Sequence, residues 1–512
     1  MELKLSEHFT YKKLILYVLP CVAMMILTSV YSIVDGFFVS NYAGKNAFAA
    51  VNLIMPVLMG VSSLGFMIGT GGSALVAFYL GLKNPKKANE VFSMLIELIL
   101  LGASIIAFLG FIFMPQIVSL LGASDLIRED AILYGRILLL SEPFFMLQNS
   151  FQSFLATAGK QKLGLRISIL AGLTNVILDF TLVGILKFGI TGAAVATCAS
   201  EFVGGFIPLI YFLHKNNSGL LLRPAAFDWK SIRKACGNGS SEMLSNLSTS
   251  LVSVIYNFQL MRVAAENGIA AYGVVMYASF IATSIYLGYA IGINPIVGYH
   301  YGADNKSELH NLLTKSLRIT GVTALSITLL SELLVLPIAR LFVGYDLVLC
   351  EMTRTGFMLY AISYLFSGFN IFGSAFFTGL NNGKISAIIS TLRTLVIQTL
   401  ALLILPIFFG LNGIWCAITA AELLTLIVTG SFLLQEKKKP FQKKSPAPIP
   451  FPSASIRIKT AAYRTILARL IKIGNTFRIS ASAIDQQPTK IPANSPKNAN
   501  STDCPGIPIR KI

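Results

Sequence analysis

Long apolar runs, separated by short polar connections, fill residues 1–436. A helix needs roughly 20 apolar residues to cross a hydrocarbon layer about 30 Å thick. Twelve runs reach that length, and they begin near Leu14, Ala47, Val91, Ile132, Leu163, Ile190, Cys236, Ala270, Leu312, Gly356, Ile385 and Leu411. This pattern predicts an all-α polytopic membrane protein with twelve transmembrane helices.

Composition agrees with this prediction and excludes other classes. Only 12% of the residues are charged, against roughly 25% in soluble domains, and the mean hydropathy is +0.69. Soluble enzymes, nucleic-acid-binding modules and disulfide-bonded secreted domains are therefore excluded. The formal net charge of +18 does not indicate a nucleic-acid partner, because residues 440–512 alone hold 12 basic and 2 acidic side chains.

The basic residues of the loops predict the orientation. When the N-terminus, every even-numbered connection and the Lys437 to Lys439 segment are assigned to one face, that face collects 22 of the 29 basic residues in the body of the chain. Cytoplasmic loops carry an excess of Lys and Arg. Both termini are therefore expected in the cytoplasm.

An internal repeat relates the two halves of the chain. AGKNAFAAVNLIM and AAENGIAAYGVVM match at an offset of 221 residues. Each repeat holds six spans, so both halves enter the membrane in the same sense, which is the parallel arrangement of many carriers. The same offset pairs Gly71 with Gly292, Gly81 with Gly302, Asn84 with Asn305, Asn149 with Asn370, and Glu201 with Glu422.

The repeat predicts the domain organisation. We expect an N-terminal six-helix bundle at 1–213, a cytoplasmic linker at 214–235 and a C-terminal six-helix bundle at 236–436. Residues 437–512 are expected to be a basic, disordered cytoplasmic tail. A basic amphipathic helix around Tyr463 to Lys472, lying on the anionic inner leaflet, is the alternative for part of the tail.

Eight acidic residues fall within the predicted spans, where Lys and Arg are almost absent. Each costs about 2.5 to 3.5 kcal/mol at the centre of a transmembrane helix on insertion scales. A desolvated carboxyl group without a cationic partner takes up a proton or attracts a cation, which favours cation-coupled transport. The eight are Asp35, Glu97, Glu142, Asp179, Glu201, Glu242, Glu332 and Glu422.

These acidic residues differ in what their positions predict. Glu97, Glu142 and Glu332 lie near span ends or alone in apolar runs, which favours a structural role. Asp35 and Asp179 are the main candidates for a coupling site in the first bundle. A straight helix would bring Asp35 about 33 Å from the cytoplasmic edge, so an exposed position at the helix end is the alternative for this residue.

Other polar residues accompany the two aspartates. Asn175 precedes Asp179 by four residues and therefore lies on the same helix face. Asn149 and Thr197 occupy interior positions of the fourth and sixth spans, where hydrogen bonding between helices is the alternative role. Pro20 removes a backbone hydrogen bond and is the predicted hinge of the first span.

With these residues in view, the sequence resembles the multidrug and toxic compound extrusion family, in particular its bacterial and archaeal DNA-damage-inducible-like branch. The resemblance covers about residues 8–436 and is carried by YSIVDGFFV, PFFMLQNSFQSFLATAGK, TNVILDFTLVG, GSSEMLSNLS and FGSAFFTGLNNGK. It implies a V-shaped pair of six-helix bundles in a bacterial plasma membrane. Such proteins export organic, often cationic and amphipathic compounds in exchange for H⁺ or Na⁺ by alternating access.

The family's site residues carry over position by position. Those for cation or proton coupling match Asp35, Asn149, Asn175, Asp179 and Thr197. A sodium ion would lie at Asp35, Asn175 and Asp179. In the second bundle the resemblance implies a substrate or second-bundle site at Glu242 and Asn370, where some relatives have an acidic residue instead of the asparagine.

Two other functions compete with this one. A lipid-linked oligosaccharide flippase of the same superfamily is the nearer alternative, although basic residues expected in its cavity are missing. A membrane-embedded enzyme has little support, because His8, His214, His300 and His310 form no metal-ligand pair and lie beside no nucleophile. We expect no enzymatic activity, no cofactor and no nucleic-acid partner. The predicted partners are small organic compounds, the coupling ion and membrane lipids, and the predicted state is a monomer.

Overall fold

The computed structural model describes residues 4–438, apart from the side chain of Lys45. Of the predicted tail at 437–512, Lys437 and Lys438 belong to the last helix, and the rest, with its alternative amphipathic helix, lies outside the described residues. Within the described part the chain is helical and contains no β-strand. The predicted all-α fold is confirmed.

The helices follow one another with short connections. Three of them pass into π-helical segments, which lie at Val39–Ala43, Asp179–Ile185 and Leu392–Val396. The helices are α1 (Tyr11–Phe38), α2 (Lys45–Gly81), α3 (Pro85–Leu120), α4 (Asp125–Thr157), α5 (Gln161–Leu178), α6 (Gly189–Leu213), α7 (Trp229–Gly302), α8 (Lys306–Val343), α9 (Leu347–Ala361), α10 (Tyr364–Gly379), α11 (Gly383–Thr391) and α12 (Ile397–Lys438).

Eight helical segments of the described chain are long and apolar enough to cross a membrane, or nine if α9 and α10, bent by 45°, count as one span. Two of the eight are double, because α7 breaks at Ala265 and α12 breaks at Gly410. The 33-residue α4 has the necessary length with a less apolar composition. Counted in this way, the helices form the predicted twelve spans.

The repeat is also visible in the backbone. Residues with positive φ recur at the offset of 221: Gly44 with Ala265, Lys83 with Asp304, and Gly189 with Gly410. Asn84 and Asn305 are equivalent in the same way, and each caps the helix that follows it. The two halves therefore turn at equivalent places, as a duplicated six-helix unit requires.

Glycines bring the two repeats together where α2 crosses α7. A Cβ atom on Gly81 would collide with the carbonyl oxygen of Tyr299, and one on Gly302 would collide with that of Phe78. These two contacts are equivalent at the offset of 221. We call the contact of Gly81 with Tyr299 and of Gly302 with Phe78 the glycine crossing. At this crossing the backbones of the ends of α2 and α7 are in direct contact, because neither glycine has a side chain to separate them.

Candidate functional site

The two main candidate residues lie in or close to π-helical segments. The backbone carbonyl of Asp35, four residues before the π-helical segment, accepts from the N–H of Val39. Asp179 is the first residue of the next π-helical segment, and its N–H donates to the carbonyls of Asn175 and Val176. Such π-helical turns are frequent at functional sites. Asp179 therefore lies in irregular backbone, whereas Asp35 lies in the last regular turn of α1, just before the π-helical segment.

The structure brings Asp35 and Asp179 together inside the first repeat. Asp35 is 8% exposed and Asp179 is fully buried. Asp35 is therefore not an exposed residue of a helix end, as the straight-helix distance allowed. Its carboxyl group lies within hydrogen-bonding reach of the side chains of Asp179, Asn175 and Thr197. The Thr197 Oγ1 atom donates to Asp35 Oδ1 at 3.4 Å.

Asp179 lacks a conventional donor. Within residues 4–438 no N–H or O–H group donates to either of its carboxyl oxygens, and the Asn175 Oδ1 atom is also unpartnered. Two carboxyl groups can hydrogen-bond to each other only when one of them carries a proton. The Asp35–Asp179 pair is therefore an arrangement that can hold a proton, or an added cation, between its members.

Asn149 lies apart from this pair. It is buried in α4, and the Nδ2 atom of its side chain has no hydrogen-bond partner in the described structure. Its backbone carbonyl faces Gly69 of α2. No hydrogen bond among the described residues joins Asn149 to the aspartates, so the structure brings four of the five predicted coupling residues together.

The second repeat contains a different polar cluster. Asn370 is fully buried, and its Nδ2 atom donates to the backbone oxygen of Glu422 at 2.8 Å and to its Oε2 atom at 2.7 Å. The Oγ1 atom of Thr429 donates to Asn370 Oδ1 at 2.7 Å. Arg393 completes the cluster, since its Nε atom lies 2.5 Å from Glu422 Oε1.

Arg393 is the member of this cluster that the sequence does not predict. The sequence predicts almost no deep basic residue, yet Arg393 lies in the π-helical segment Leu392–Val396 with its side chain 17% exposed. Its signal in the sequence is a lone arginine within the apolar stretch ISTLRTLVIQTL. Asn370 hydrogen-bonds to Glu422 and Thr429, whereas Glu242 is half-buried on α7 and has no hydrogen bond to Asn370.

Pro20, the predicted hinge, lies within an unbroken helix. α1 runs from Tyr11 to Phe38 without a non-helical residue. An apolar cavity of about 240 Å³ adjoins this helix, between α1 and the α7, α8 and α10 helices, and includes Val22, Tyr286 and Phe372 in its wall. The aspartate pair does not line this cavity.

The carboxylates do not gather into a metal centre of their own. In the part of the chain that the structure describes, no group of three or more His, Cys, Asp or Glu side chains is placed to hold a metal ion. A sodium ion at Asp35 and Asp179 would need further oxygen ligands from Asn175 and Thr197.

Twelve helical spans in two repeats, with carboxyl groups buried inside both of them, define a multi-pass membrane transport protein. The sequence profile of the MatE family matches residues 20–181 and 243–403, one segment in each repeat. The chain therefore belongs to the MatE family, the multidrug and toxic compound extrusion (MATE) transporters.

Individual relatives agree with this assignment. The multidrug export protein MepA of Staphylococcus haemolyticus is 24% identical over 427 residues, which cover 81% of this chain and 92% of that protein. The outward-facing structure of a multidrug resistance MATE family transporter of the MOP superfamily superposes with a TM-score of 0.79 and 25% identity, covering 84% of this chain and 98% of that one. A crystal structure of MATE in complex with MaL6 has a TM-score of 0.80, 24% identity and the same coverage.

Proposed function

We propose that this protein exports organic, often cationic compounds across a bacterial plasma membrane in exchange for H⁺ or Na⁺. The observation that carries the proposal is the buried Asp35–Asp179 pair, which has no basic partner among the described residues. The relatives named as multidrug export proteins support the substrate class. The 22 to 7 distribution of basic residues supports cytoplasmic termini.

The proposed cycle exchanges one positive charge for another at the aspartate pair. In the deprotonated state the pair attracts a cationic compound or holds polar helix faces apart. A proton or sodium ion entering from outside neutralises the pair, and the compound leaves to the outside. The loaded bundles then rock about their interface, α1 bends near Pro20, and the ion leaves to the cytoplasm.

The membrane potential supplies energy for this exchange. Each elementary charge that moves inward contributes about 2.3 kcal/mol per 100 mV. One coupled ion therefore supports a gradient of roughly 50-fold for a neutral compound from the potential alone. As the resemblance implies, Asn149 is proposed to act with the coupling residues, and Glu242 and Asn370 are proposed to form a substrate or second-bundle site.

The first prediction concerns Asp35→Asn. We expect this variant to abolish coupled ethidium efflux in cells, because an amide cannot gain or lose the coupling proton. Asp125→Asn is the matched control, since Asp125 is exposed in the first turn of α4. Normal efflux by Asp35→Asn, at wild-type expression, would remove this residue from the mechanism.

Proteoliposomes distinguish the coupling ions and the competing function. Efflux of ethidium is measured with a pH gradient alone and with a sodium gradient alone. We expect at least one of them to drive transport in the wild type. Translocation of a lipid-linked oligosaccharide without ethidium transport would show the flippase instead.

A further inference from the structure

We propose that Glu142 and Glu201 form a second proton-binding site in the first repeat, apart from the Asp35–Asp179 pair. The role of this site in coupling rests on the proposed function, but its existence does not. Sequence position alone favoured a structural role for Glu142. The three-dimensional surroundings of the two glutamates point to the new assignment.

Glu201 lies on α6, four residues after Thr197, and therefore about 6 Å farther along the helix. Thr197 contacts Asp35, so Glu201 follows the aspartate pair by about one helical turn. The carboxyl group of Glu201 accepts a hydrogen bond from the Oγ atom of Ser141 on α4. The thiol of Cys198 donates to the same Ser141 oxygen at 3.1 Å.

Glu142 occupies the position next to Ser141 and connects the site to α2. Its side chain is 2% exposed. The Oγ atom of Ser62 lies 2.7 Å from Glu142 Oε1 and 2.8 Å from the carbonyl oxygen of Leu58, and its single hydrogen can be donated to either acceptor. Each glutamate thus has one hydroxyl donor, and Ser62 belongs to α2, the helix that crosses α7 of the other repeat.

Neither glutamate has a counter-charge. Among residues 4–438 no Lys, Arg or His side chain forms an ion pair with Glu142 or Glu201. Burying an unpaired carboxylate is far more costly than burying the neutral acid. A proton removes that cost.

A buried tyrosine hydroxyl also interacts electrostatically with these carboxyl groups. Tyr134 of α4 is fully buried, and its hydroxyl group has no hydrogen-bond partner in the described structure. This hydroxyl lies within electrostatic range of Asp35, Asp179 and Glu201. It is therefore a buried donor and acceptor without a hydrogen-bond partner among the described residues. The ionisable groups that face Glu201 are Glu142 and Tyr134 of α4, Asp35 and Tyr31 of α1, and Cys198 of α6.

The repeat provides an internal comparison. Glu201 corresponds to Glu422 in the second repeat, where Arg393 supplies the counter-charge at 2.5 Å. The residue that corresponds to Arg393 in the first repeat is Gly172, which has no side chain to do so. The same glutamate position is ion-paired in one repeat and left to a proton in the other.

The test uses the full chain, purified and reconstituted in lipid, without any transported compound. Infrared difference spectra between alkaline and acidic buffer report the C=O stretch of protonated carboxylic acids. We expect Glu201→Gln and Glu142→Gln each to lose one component of this band that Asp35→Asn retains. A parallel acid–base titration should show one proton fewer taken up per chain by Glu201→Gln.

The control is the double variant R393Q/E422Q, which removes the ion-paired glutamate together with its partner and should leave the acid band unchanged. If Glu201→Gln does not fold, Glu201→Asp keeps the carboxyl group and should shift the band. A Glu201→Gln or Glu201→Asp spectrum that superimposes on the wild type would overturn the proposal. If Glu201→Gln loses its component of the band and the wild-type protein exports no ethidium, the result supports this site and refutes the proposed function.

Discussion

At the scale of single residues, the two repeats solve the problem of a buried acid in different ways. Asp179 has no donor within the described chain, and Glu422 has an arginine, an asparagine and, through it, a threonine. A buried ion pair whose remaining oxygens are hydrogen-bonded is tolerated, whereas either charge alone is costly. Proton-dependent behaviour is therefore expected from the first repeat.

The Arg393–Glu422 pair leads to a second prediction. Arg393→Gln leaves Glu422 as an unpaired buried carboxylate, and we expect a loss of about 3–5 kcal/mol in the free energy of unfolding. The double variant R393Q/E422Q should lose less than the sum of the two single variants, with a coupling of about 0.5–3 kcal/mol. Thermal unfolding of the purified protein in detergent measures both.

The matched control for this cycle is the exposed pair of Arg354 and Glu351, 3.0 Å apart on α9. Arg354→Gln should change stability by about 1 kcal/mol or less, because exposed ion pairs contribute little. Equal effects of Arg393→Gln and Arg354→Gln would show that Glu422 does not depend on its arginine.

At the scale of helices, breaks decide how many spans the long apolar segments make. Gly410 and Ala265 both have positive φ, but only glycine adopts such a conformation readily. Ala265, at φ 51° and ψ −147°, stands where the first repeat has Gly44. The second repeat therefore makes the same turn without a glycine.

The strain at Ala265 gives a third prediction. Ala265→Gly should raise the free energy of unfolding by about 1 kcal/mol, because the left-handed backbone is costly for alanine. Ala270→Gly, at an exposed helical position five residues later, should lower it by about 1 kcal/mol. The midpoints of thermal unfolding of the two variants, compared with the wild type, measure these changes. A lower midpoint for Ala265→Gly would show that no strain is stored there.

At the scale of the whole molecule, the glycine crossing sets how closely the repeats approach. Gly302→Ala places a methyl group against the carbonyl oxygen of Phe78 and must force α2 and α7 apart. We expect reduced ethidium efflux and a lower unfolding midpoint, since overpacking costs about 1–3 kcal/mol.

The control for the crossing is Gly237→Ala on α7, where an added Cβ meets nothing within 4 Å. This change should leave efflux intact and stabilise the helix by up to about 1 kcal/mol. If Gly302→Ala behaves like Gly237→Ala, the crossing does not limit the approach of the repeats.

The sequence predicts those parts of the site that depend on local pattern, and not those that depend on how the helices pack. The sequence predicts Asp35 and Asp179 because an acidic residue is rare in an apolar run. It predicts Asn175 because residues four positions apart lie on the same helix face. The sequence predicts neither the buried position of Arg393 nor the contact of Glu142 with Ser62. Both depend on which helix faces which, and no local pattern encodes that.

The twelve spans, the duplication and the presence of acidic residues within the membrane all follow from the linear sequence. These are properties of a linear chain, because the cost of transferring an apolar run into lipid, and an offset between repeats, need no knowledge of neighbours. Three features depend on the folded structure: Asp35 meets Asp179, Glu422 meets Arg393, and Glu201 meets no Lys, Arg or His among the described residues. These contacts depend on the rotation and tilt of each helix. The rotation and tilt in turn depend on close packing between helices, as at the glycine crossing.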